Sequence, residues 1–366
     1  MKDKKPTRIN IVIGTVAELI KMMPIILELE KRKIKYRLIS TGQNRITSSD
    51  VYKEVFGSKK TDIDFNSKDI QQTIIGLFFW FVETLFLGIK KTKKILNKKG
   101  GQVFIVHGDT VSTLIGSIVG KSIGAEVVHI ESGLRSFNWF SPFPEEITRS
   151  IVSRIATYHF CPNSWSVNNL KSVGGVKFNT LENTLLDSYR YALSKKVTSK
   201  IVNNKEKFFI VVFHRQENLM NNSLIENIAN LVIKQSKKIK CIFVLHPNTE
   251  NVLNRLGILT RLEEYNNIII CRKIPYFEFQ NLLTRCEFII TDGGSNQEEC
   301  SYIGVPTLIL RKHTERIEGL GKNIILSTEP VEILNFFSGY KKYKCLPVYK
   351  NIKPSHYIIN QIQKNI

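Results

Sequence analysis

Short apolar runs and longer amphipathic stretches alternate along the N-terminal half of the chain. Ile9–Ile13 is an apolar run too short for a helix, and Gly14 follows it. From Glu18 to Arg32 the apolar residues instead recur at helical spacing, with Leu19, Met22, Met23, Ile26 and Leu29 on one face. The same alternation predicts further strands at Tyr36–Ser40, Val103–His107, Glu126–Ile130 and Thr157–Cys161. Buried strands separated by helices predict a parallel sheet covered on both faces.

A second series of the same kind follows a polar stretch. The pattern loosens around Val176–Asp187, and Lys195–Lys207 is largely polar and charged. Apolar runs then return at Phe208–Phe213, Cys241–Leu245, Asn267–Cys271, Phe288–Thr291 and Thr307–Leu310. The chain has 366 residues, which is comfortable for two domains. We therefore predict an α/β protein with two Rossmann-like, doubly wound parallel sheets facing each other across a cleft, with ligands beyond the carboxyl ends of the strands.

One segment departs from this globular pattern. Ile74–Ile89 is apolar almost all round and is followed by four lysines, at 90, 91, 93 and 94. The apolar stretch is shorter than the roughly 20 residues that span a bilayer, and Glu83 lies inside it. Two interpretations remain open. The segment is either a helix buried in the fold or an interfacial helix with Trp80 and the phenylalanines in the headgroup zone of an anionic membrane.

The formal net charge of +21 adds little to this picture. Nucleic-acid binding would explain it, but the lysines are spread along the whole chain and no nucleic-acid motif is present, so we expect no such partner. Attraction to an anionic membrane surface is a second explanation. The third is a general preference for lysine, isoleucine and asparagine throughout the sequence.

Cysteine usage and the N-terminus indicate the compartment. The six cysteines are scattered, with no CxxC pair and no metal-ligand spacing to histidine, as in a protein of a reducing compartment. The first residues are basic, but the apolar run that follows them is strand-like and is no signal-peptide core. We expect a cytoplasmic protein.

Carboxylates follow neighbouring strands of the first series. Asp109 comes after one predicted strand, with Gly108 allowing close approach of the backbone, and Glu131 follows the next strand. Glu145 and Glu146 lie in the SPFPEE segment. Carboxylates grouped at adjoining strand ends can have pKa values pushed apart by burial and like charge, as acid/base catalysis requires.

The second series carries groups suited to a diphosphate. His214 and Arg215 follow its first strand, where one can donate a hydrogen bond and the other neutralise charge. In TDGGSNQEE, Gly293 and Gly294 allow backbone N–H groups to face a phosphate where a helix begins. One turn later, Glu298 or Glu299 could accept hydrogen bonds from ribose hydroxyls.

At these residues the sequence resembles the non-hydrolysing UDP-N-acetylglucosamine 2-epimerases, which share the two-domain fold of the GT-B glycosyltransferases. GTVAELIK (Gly14–Lys21) is similar to the family's GTRPEAIK, and HGDT is unchanged. HIESGLRSFNWFSPFPEEITR (His129–Arg149) is similar to HVEAGLR and SPWPEE-x-x-R. FHRQE, TDGGSNQEE and HTERIE resemble GHRRE, TDSGGIQEE and TTERPE, in the same order along the chain.

The resemblance implies the domains and the reaction. The N-terminal domain would cover residues 1–182, with a C-terminal helix of about 355–366 packing back on it, and the UDP-binding domain would cover 183–354. The C2 proton of N-acetylglucosamine is not next to a carbonyl, so UDP would leave C1 first, giving 2-acetamidoglucal, and then re-add after the proton reaches the other face of C2. Neither a metal nor a nicotinamide cofactor is required, and a homodimer is expected.

The resemblance also implies roles for individual residues. The acid/base positions match Asp109, Glu131 and Glu145, and His214 matches the histidine beside the diphosphate. The UDP-binding positions match Gly293, Gly294 and Glu299 and, near uracil, Phe279. Arg215 and Ser295 are further candidate substrate-binding residues. Two departures remove diphosphate contacts, since Val16 replaces an arginine and Gly293 a serine. Lys21, Arg135 and Arg316 are candidate replacements.

Three functions fit these features. The first is interconversion of UDP-N-acetylglucosamine and UDP-N-acetylmannosamine, or of a closely related UDP-sugar, for surface polysaccharide or capsule synthesis. The second is a GT-B glycosyltransferase, peripheral at the inner face of the plasma membrane, that moves a sugar to a lipid-linked or polysaccharide acceptor. The apolar stretch, the charge and the altered diphosphate contacts favour it. The third is a non-catalytic nucleotide-binding partner, which the preserved carboxylates disfavour.

Overall fold

A computed structural model describes residues 8–67, 74–96, 101–139, 144–203, 205–347 and 351–366. The chain divides into two compact units. The first contains Met1–Ser188 and Ile352–Ile366, and the second contains Tyr189–Asn351.

The first unit is built on a parallel sheet of seven strands in the order β3-β2-β1-β4-β5-β6-β7. The strands are β1 (Arg8–Ile13), β2 (Tyr36–Ser40), β3 (Ile63–Asp64), β4 (Gln102–His107), β5 (Glu126–Ile130), β6 (Tyr158–Cys161) and β7 (Val176–Asn179). The strand order reverses between β1 and β4, and in doubly wound sheets ligands bind at the carboxyl ends near such a reversal.

The second unit has a parallel sheet of six strands in the order β10-β9-β8-β11-β12-β13. The strands are β8 (Phe208–Val212), β9 (Lys240–Val244), β10 (Ile268–Cys271), β11 (Ile289–Thr291), β12 (Thr307–Ile309) and β13 (Ile324–Leu326). Its order reverses between β8 and β11. The predicted fold class, two Rossmann-like α/β domains, is confirmed.

Helices connect the strands in both units. In the first they are α1 (Val16–Lys31), α2 (Asp50–Phe56), α3 (Ile74–Ile95), α4 (Val111–Ser122), α5 (Glu145–Ile155) and α6 (Ser164–Asn169), and α7 (Leu185–Ser194) crosses the boundary between the units. The second contains α8 (Gln216–Leu219), α9 (Asn222–Ser236), α10 (Pro247–Arg255), α11 (Ile258–Glu263), α12 (Tyr276–Arg285), α13 (Gly294–Ile303) and α14 (Pro330–Gly339). The last helix, α15 (Pro354–Asn365), belongs to the first unit and packs on α1.

Three strands were missed by the sequence pattern. β3 has two residues and β13 has three, too few to show a period. β7 lies at the edge of its sheet, and its side chains are exposed or half-buried, so the stretch carries no apolar run. These short and edge strands depend on pairing with a neighbour, which a local pattern does not reveal.

Helix α3 fits neither sequence interpretation completely. Ile75, Phe78, Phe79 and Phe86 are each more than 60% exposed, so the helix is not buried all round. The interfacial interpretation placed Trp80 in a headgroup zone, and for this residue the buried interpretation is the one that holds. Its side chain is 4% exposed and belongs to the core under the first sheet, because it lies on the opposite face of the helix from the exposed phenylalanines. No helix among the described residues has the length and hydropathy needed to cross a membrane.

Candidate active site

Two of the predicted carboxylates follow adjacent, paired strands. His107 at the end of β4 pairs with Ile130 at the end of β5, and the Gly108 N–H donates to the Ile130 carbonyl oxygen at 2.9 Å. Asp109 and Glu131 therefore start from the same edge of the sheet. Gly108 has φ of +70°, and a Cβ there would come no closer than 3.7 Å to a neighbour. This left-handed backbone favours glycine at the position.

Glu131 is held by a buried cation and a buried amide. The Lys21 Nζ donates to Oε1 at 2.9 Å and to Oε2 at 2.7 Å, and both side chains are almost fully buried. The Asn183 Nδ2 also donates to Oε2. Glu131 has φ of +62°, a left-handed backbone that costs a non-glycine residue about 1–2 kcal/mol. Such strain concentrates at functional sites, where the surroundings hold the residue in place.

Asp109 is held by an arginine of the PEE-x-x-R segment. Arg149 Nη2 donates to Asp109 Oδ2, and its Nη1 donates to Glu146 Oε2 at 3.3 Å. Glu146 also accepts from the Arg135 side chain and from the Ser136 N–H at 2.9 Å. Burial alone would raise the pKa of Glu146, but these hydrogen bonds and the two arginines hold it below its ordinary value of 4.5. Glu146 is therefore a fixed counter-ion for the arginine that holds Asp109.

Glu145, the third predicted acid/base residue, is the first residue of α5 and is half-buried. The preceding part of the SPFPEE segment, residues 140–143, lies outside the described residues.

Glu18 connects the loop after β1 with the loop after β4, a role that the sequence analysis did not predict. Its Oε2 accepts from the Gly14 N–H at 2.7 Å and the Thr15 N–H at 2.9 Å. Its Oε1 accepts from the Thr110 hydroxyl at 2.5 Å and the Thr113 hydroxyl at 3.0 Å. Burial raises the pKa of Glu18, against the effect of these hydrogen bonds. The spacing of Thr15 and Glu18 is that of a capping box, and this signal could have revealed it.

Three buried histidines lie on β4, β5 and β6, and His129 and His159 are paired across β5 and β6. Burial lowers the pKa of His107 to about 3, and those of His129 and His159 to about 4. His129 Nε2 hydrogen-bonds to the Gly108 carbonyl oxygen at 2.7 Å, next to Asp109. His107 Nε2 lies 3.8 Å from Glu131 Oε2. All three are neutral at pH 7, so they fix loops and do not add positive charge to the carboxylates.

In the second unit a buried aspartate fixes the histidine–arginine pair. Asp292 is fully buried, and its carboxylate accepts from the backbone N–H of His214 at 3.0 Å and of Arg215 at 2.8 Å, and from Asn218 Nδ2 at 3.0 Å. His214 Nδ1 lies 3.3 Å from Asp292 Oδ1, while nearly half of the imidazole side chain remains exposed. Arg215 Nε donates to the Asp292 carbonyl oxygen. The sequence placed Asp292 at a strand end but gave no sign of this role.

The glycine pair opens helix α13. Gly293 is its N-cap and Gly294 its first residue, and Ser295 follows in the first turn. A Cβ on Gly293 would lie 2.6 Å from Asn296 Oδ1, and one on Gly294 would lie 2.9 Å from Arg316 Nε. A side chain at either position would therefore displace Asn296 or Arg316. The start of such a helix presents backbone N–H groups that suit an anion.

The acidic residues of α13 have partners within the second unit. Glu298 accepts from Arg316 Nη1 and, at 2.7 Å, from the Tyr302 hydroxyl. Glu299 accepts from Gln280 Nε2 at 2.7 Å. Phe279, the predicted uracil neighbour, precedes Gln280 on α12 and is half-buried.

Within the described ranges, no group of three or more His, Cys, Asp or Glu side chains could hold a metal ion.

Comparison with known proteins assigns the family. The family pattern described as UDP-N-acetylglucosamine 2-epimerase matches residues 27–358. The UDP-N-acetylglucosamine 2-epimerase of Methanococcus maripaludis is 34% identical over 345 residues, which are 90% of this chain and 90% of that protein. The chain belongs to the UDP-N-acetylglucosamine 2-epimerase family. The predicted resemblance is thus confirmed.

Solved epimerase structures have the same fold. The Neisseria meningitidis UDP-GlcNAc 2-epimerase bound to UDP-GlcNAc superposes with a TM-score of 0.82 at 27% identity, covering 98% of this chain and 100% of that one. The Methanocaldococcus jannaschii UDP-GlcNAc 2-epimerase in complex with UDP-GlcNAc and UDP gives a TM-score of 0.79 at 27% identity, with the same coverage.

Proposed function

We propose that the protein interconverts UDP-N-acetylglucosamine and UDP-N-acetylmannosamine by elimination and re-addition of UDP. The observation that carries the proposal is the pair of carboxylates, Asp109 and Glu131, anchored at the ends of adjacent strands in a chain of this epimerase family. Epimerisation at C2 needs proton transfer on both faces of one carbon, and one carboxylate for each face is the simplest provision for it.

The carboxylates of the first unit perform the proton transfers. The C1–O bond breaks first, and its electrons leave with UDP. One carboxylate then takes the C2 proton, and the C–H electron pair forms the second bond between C1 and C2. UDP then re-adds to C1 while a different acid delivers a proton to the opposite face of C2. We assign these exchanges to Asp109, Glu131 and Glu145. Lys21 favours the charged form of Glu131, as a base requires.

The second unit binds the UDP portion. The start of α13 at Gly293, Gly294 and Ser295 donates backbone hydrogen bonds to the diphosphate, and His214 donates from its half-exposed ring. Glu299 is assigned to the ribose and Phe279 to uracil.

The missing family arginine needs a substitute. Each proposed replacement already has a carboxylate partner, since Lys21 contacts Glu131, Arg135 contacts Glu146 and Arg316 contacts Glu298. The Arg215 side chain instead donates to a backbone carbonyl oxygen, which leaves more of its charge for a ligand. We therefore assign Arg215 as the main cation for the diphosphate.

A single incubation distinguishes the epimerase from the glycosyltransferase alternative, which the similarity to known epimerases does not favour. Purified protein is incubated with UDP-N-acetylglucosamine, with and without membrane lipids as acceptor, and the nucleotide products are separated. UDP-N-acetylmannosamine formed without acceptor supports the proposal. If UDP is released only when acceptor is present and no epimer forms, the protein is a glycosyltransferase and the epimerase proposal is wrong.

The exposed face of α3 offers a surface for a partner. Five large apolar residues are exposed on it, at 75, 78, 79, 82 and 86, and lysines follow at its C-terminal end. Helix α4 packs beside α3, and α5 packs beside α4 and exposes Ile151. We propose that a second copy of the chain covers this face, giving a homodimer. An anionic membrane surface is the competing occupant, but Trp80, the residue that the interfacial interpretation placed among the headgroups, is part of the core.

Sedimentation and vesicle flotation show whether a second copy of the chain or a membrane covers this face. Phe79→Ser with Phe86→Ser should convert a dimer to a monomer, whereas the matched change of Val331 and Leu334 to serine on α14 should not. Unaltered protein that sediments as a monomer overturns the dimer. If that monomer floats with vesicles containing phosphatidylglycerol, the membrane is the partner.

We also propose that the enzyme works in the cytoplasm and supplies surface polysaccharide or capsule synthesis. All six cysteines are free thiols, which suits a reducing compartment.

A further inference from the structure

Asn183 hydrogen-bonds to Glu131 although the two residues follow different strands of the sheet. It lies after the edge strand β7, 52 residues from Glu131 in sequence, and is 3% exposed. Its amide Nδ2 donates to Glu131 Oε2, the same oxygen that accepts from Lys21 at 2.7 Å. The sequence reading assigned no role to Asn183.

Lys21 and Asn183 have different effects on the Glu131 carboxylate. Lys21 Nζ contacts both oxygens of Glu131, so it supplies charge but does not distinguish one oxygen from the other. The Asn183 amide donates to Oε2 from a different direction and therefore restrains the rotation of the carboxylate plane. Glu131 needs such a constraint, because its left-handed backbone would otherwise relax toward a commoner conformation.

Asn183 is itself mounted rigidly beside Lys21. The helix that follows it, α7, is tied to α1 by the Ser188 hydroxyl, which donates to the Ile20 carbonyl oxygen at 2.7 Å. Ile20 is the residue before Lys21. The carboxylate of Asp187 accepts the Ser355 N–H at 2.9 Å, which ties the same turn to α15. Both donors to Glu131 are thus carried by elements that are fixed to one another.

We propose that Asn183 is a positioning residue that aims the Glu131 carboxylate for proton transfer at C2. This inference rests on the proposed epimerase function. Asn183 does not touch the reacting atoms itself, and its effect is on where the Glu131 oxygens lie when the sugar is bound. A small misplacement of a catalytic group can lower a rate about 100-fold.

The test compares Asn183→Ala with Asn179→Ala, a matched loss of an amide from the end of the same strand. Asn179 hydrogen-bonds to Ser164 and to the Leu181 N–H and contacts no catalytic carboxylate. We expect Asn183→Ala to lower kcat about 10- to 100-fold with KM and UDP affinity within about threefold. Asn179→Ala should keep kcat within about twofold.

Asn183→Asp keeps the shape of the side chain and tests electrostatics. A second carboxylate beside Glu131 disfavours its charged form, so the acid limb of the kcat–pH profile should move to higher pH. A purely structural role for Asn183 would leave that limb in place while lowering thermal stability.

Two results overturn the inference. One is an active wild type in which Asn183→Ala has normal kcat, or in which Asn183→Asp has the wild-type pH profile. The other is equal loss of kcat in Asn183→Ala and Asn179→Ala. An inactive wild type overturns the proposed function itself, and the inference with it.

Discussion

At the residue scale, each catalytic carboxylate that the structure pairs is fixed by an ion pair or a hydrogen bond. Asp109 is held by Arg149, and Glu131 by Lys21 and Asn183. The sequence could predict the carboxylates, because each follows an apolar run that had to be a strand. It could not predict the partners, since Lys21 lies 110 residues from Glu131 and only the folded sheet brings them together.

Asp109 gives the first prediction. Asp109→Asn keeps the shape of the side chain but removes the acid/base group, so epimerisation should fall about 10²- to 10⁴-fold. UDP should still bind, because the residues assigned to it lie in the second unit. Glu126→Gln, which changes an exposed carboxylate at the start of β5, serves as the control and should keep full activity. Turnover of Asp109→Asn equal to that of the control would remove Asp109 from the mechanism.

At the element scale, periodicity predicted the long buried strands and failed where burial is partial. β2 and β5 begin and end at the predicted residues, and each has apolar residues that are buried in the sheet. β7 has no such run and was missed. Helix α3 has apolar residues on both faces, so its sequence could not show which face packs on the sheet.

The two faces of α3 give the second prediction. Trp80 is 4% exposed and Phe79 is 67% exposed on the same helix. Trp80→Ala should lower the free energy of unfolding by about 3–5 kcal/mol, because it opens a cavity in the core. Phe79→Ala should change it by no more than about 0.5 kcal/mol, apart from any loss of self-association. Urea titrations at several protein concentrations separate these effects, and equal losses for the two variants would contradict the orientation of α3.

The three histidines of the first sheet give the third prediction. Their pKa values are about 3 for His107 and about 4 for His129 and His159, below the ordinary 6.5. Below pH 6.5 the unfolded chain therefore binds more protons than the folded one. The stability present at neutral pH should fall by about 1.4 kcal/mol per pH unit for each histidine as the pH drops from 6.5 toward 4.

Glu18 changes the stability in the opposite direction as the pH falls. Its raised pKa means that the folded state binds the extra proton just above pH 4.5, which offsets part of the loss. Urea titrations at pH 7 and pH 5 test the balance. His159→Asn should flatten the pH dependence, and the same change at the exposed His313 should not. Equal stability at the two pH values would contradict burial of the histidines as neutral groups.

At the scale of the whole molecule, the residues with proposed roles are divided between the two units. The first holds the carboxylates and their counter-ions, and the second holds a helix start whose backbone N–H groups suit an anion, preceded by the aspartate that fixes His214 and Arg215. The sequence predicted this division, because each half repeats the same pattern of strands and places different polar residues at the strand ends. The net charge and the apolar stretch at residues 74–89 did not indicate one function, since they are compatible with several partners.

The central claim is that separate acid/base groups act on the two faces of C2. The direct measurement is the hydrogen isotope at C2 after incubation of the wild type with UDP-N-acetylglucosamine in deuterated water, read by proton NMR. We predict UDP-N-acetylmannosamine in which C2 carries deuterium in every molecule formed, because the proton that leaves one face is replaced from a group that exchanges with solvent. An epimer that keeps its original C2 proton would contradict the account.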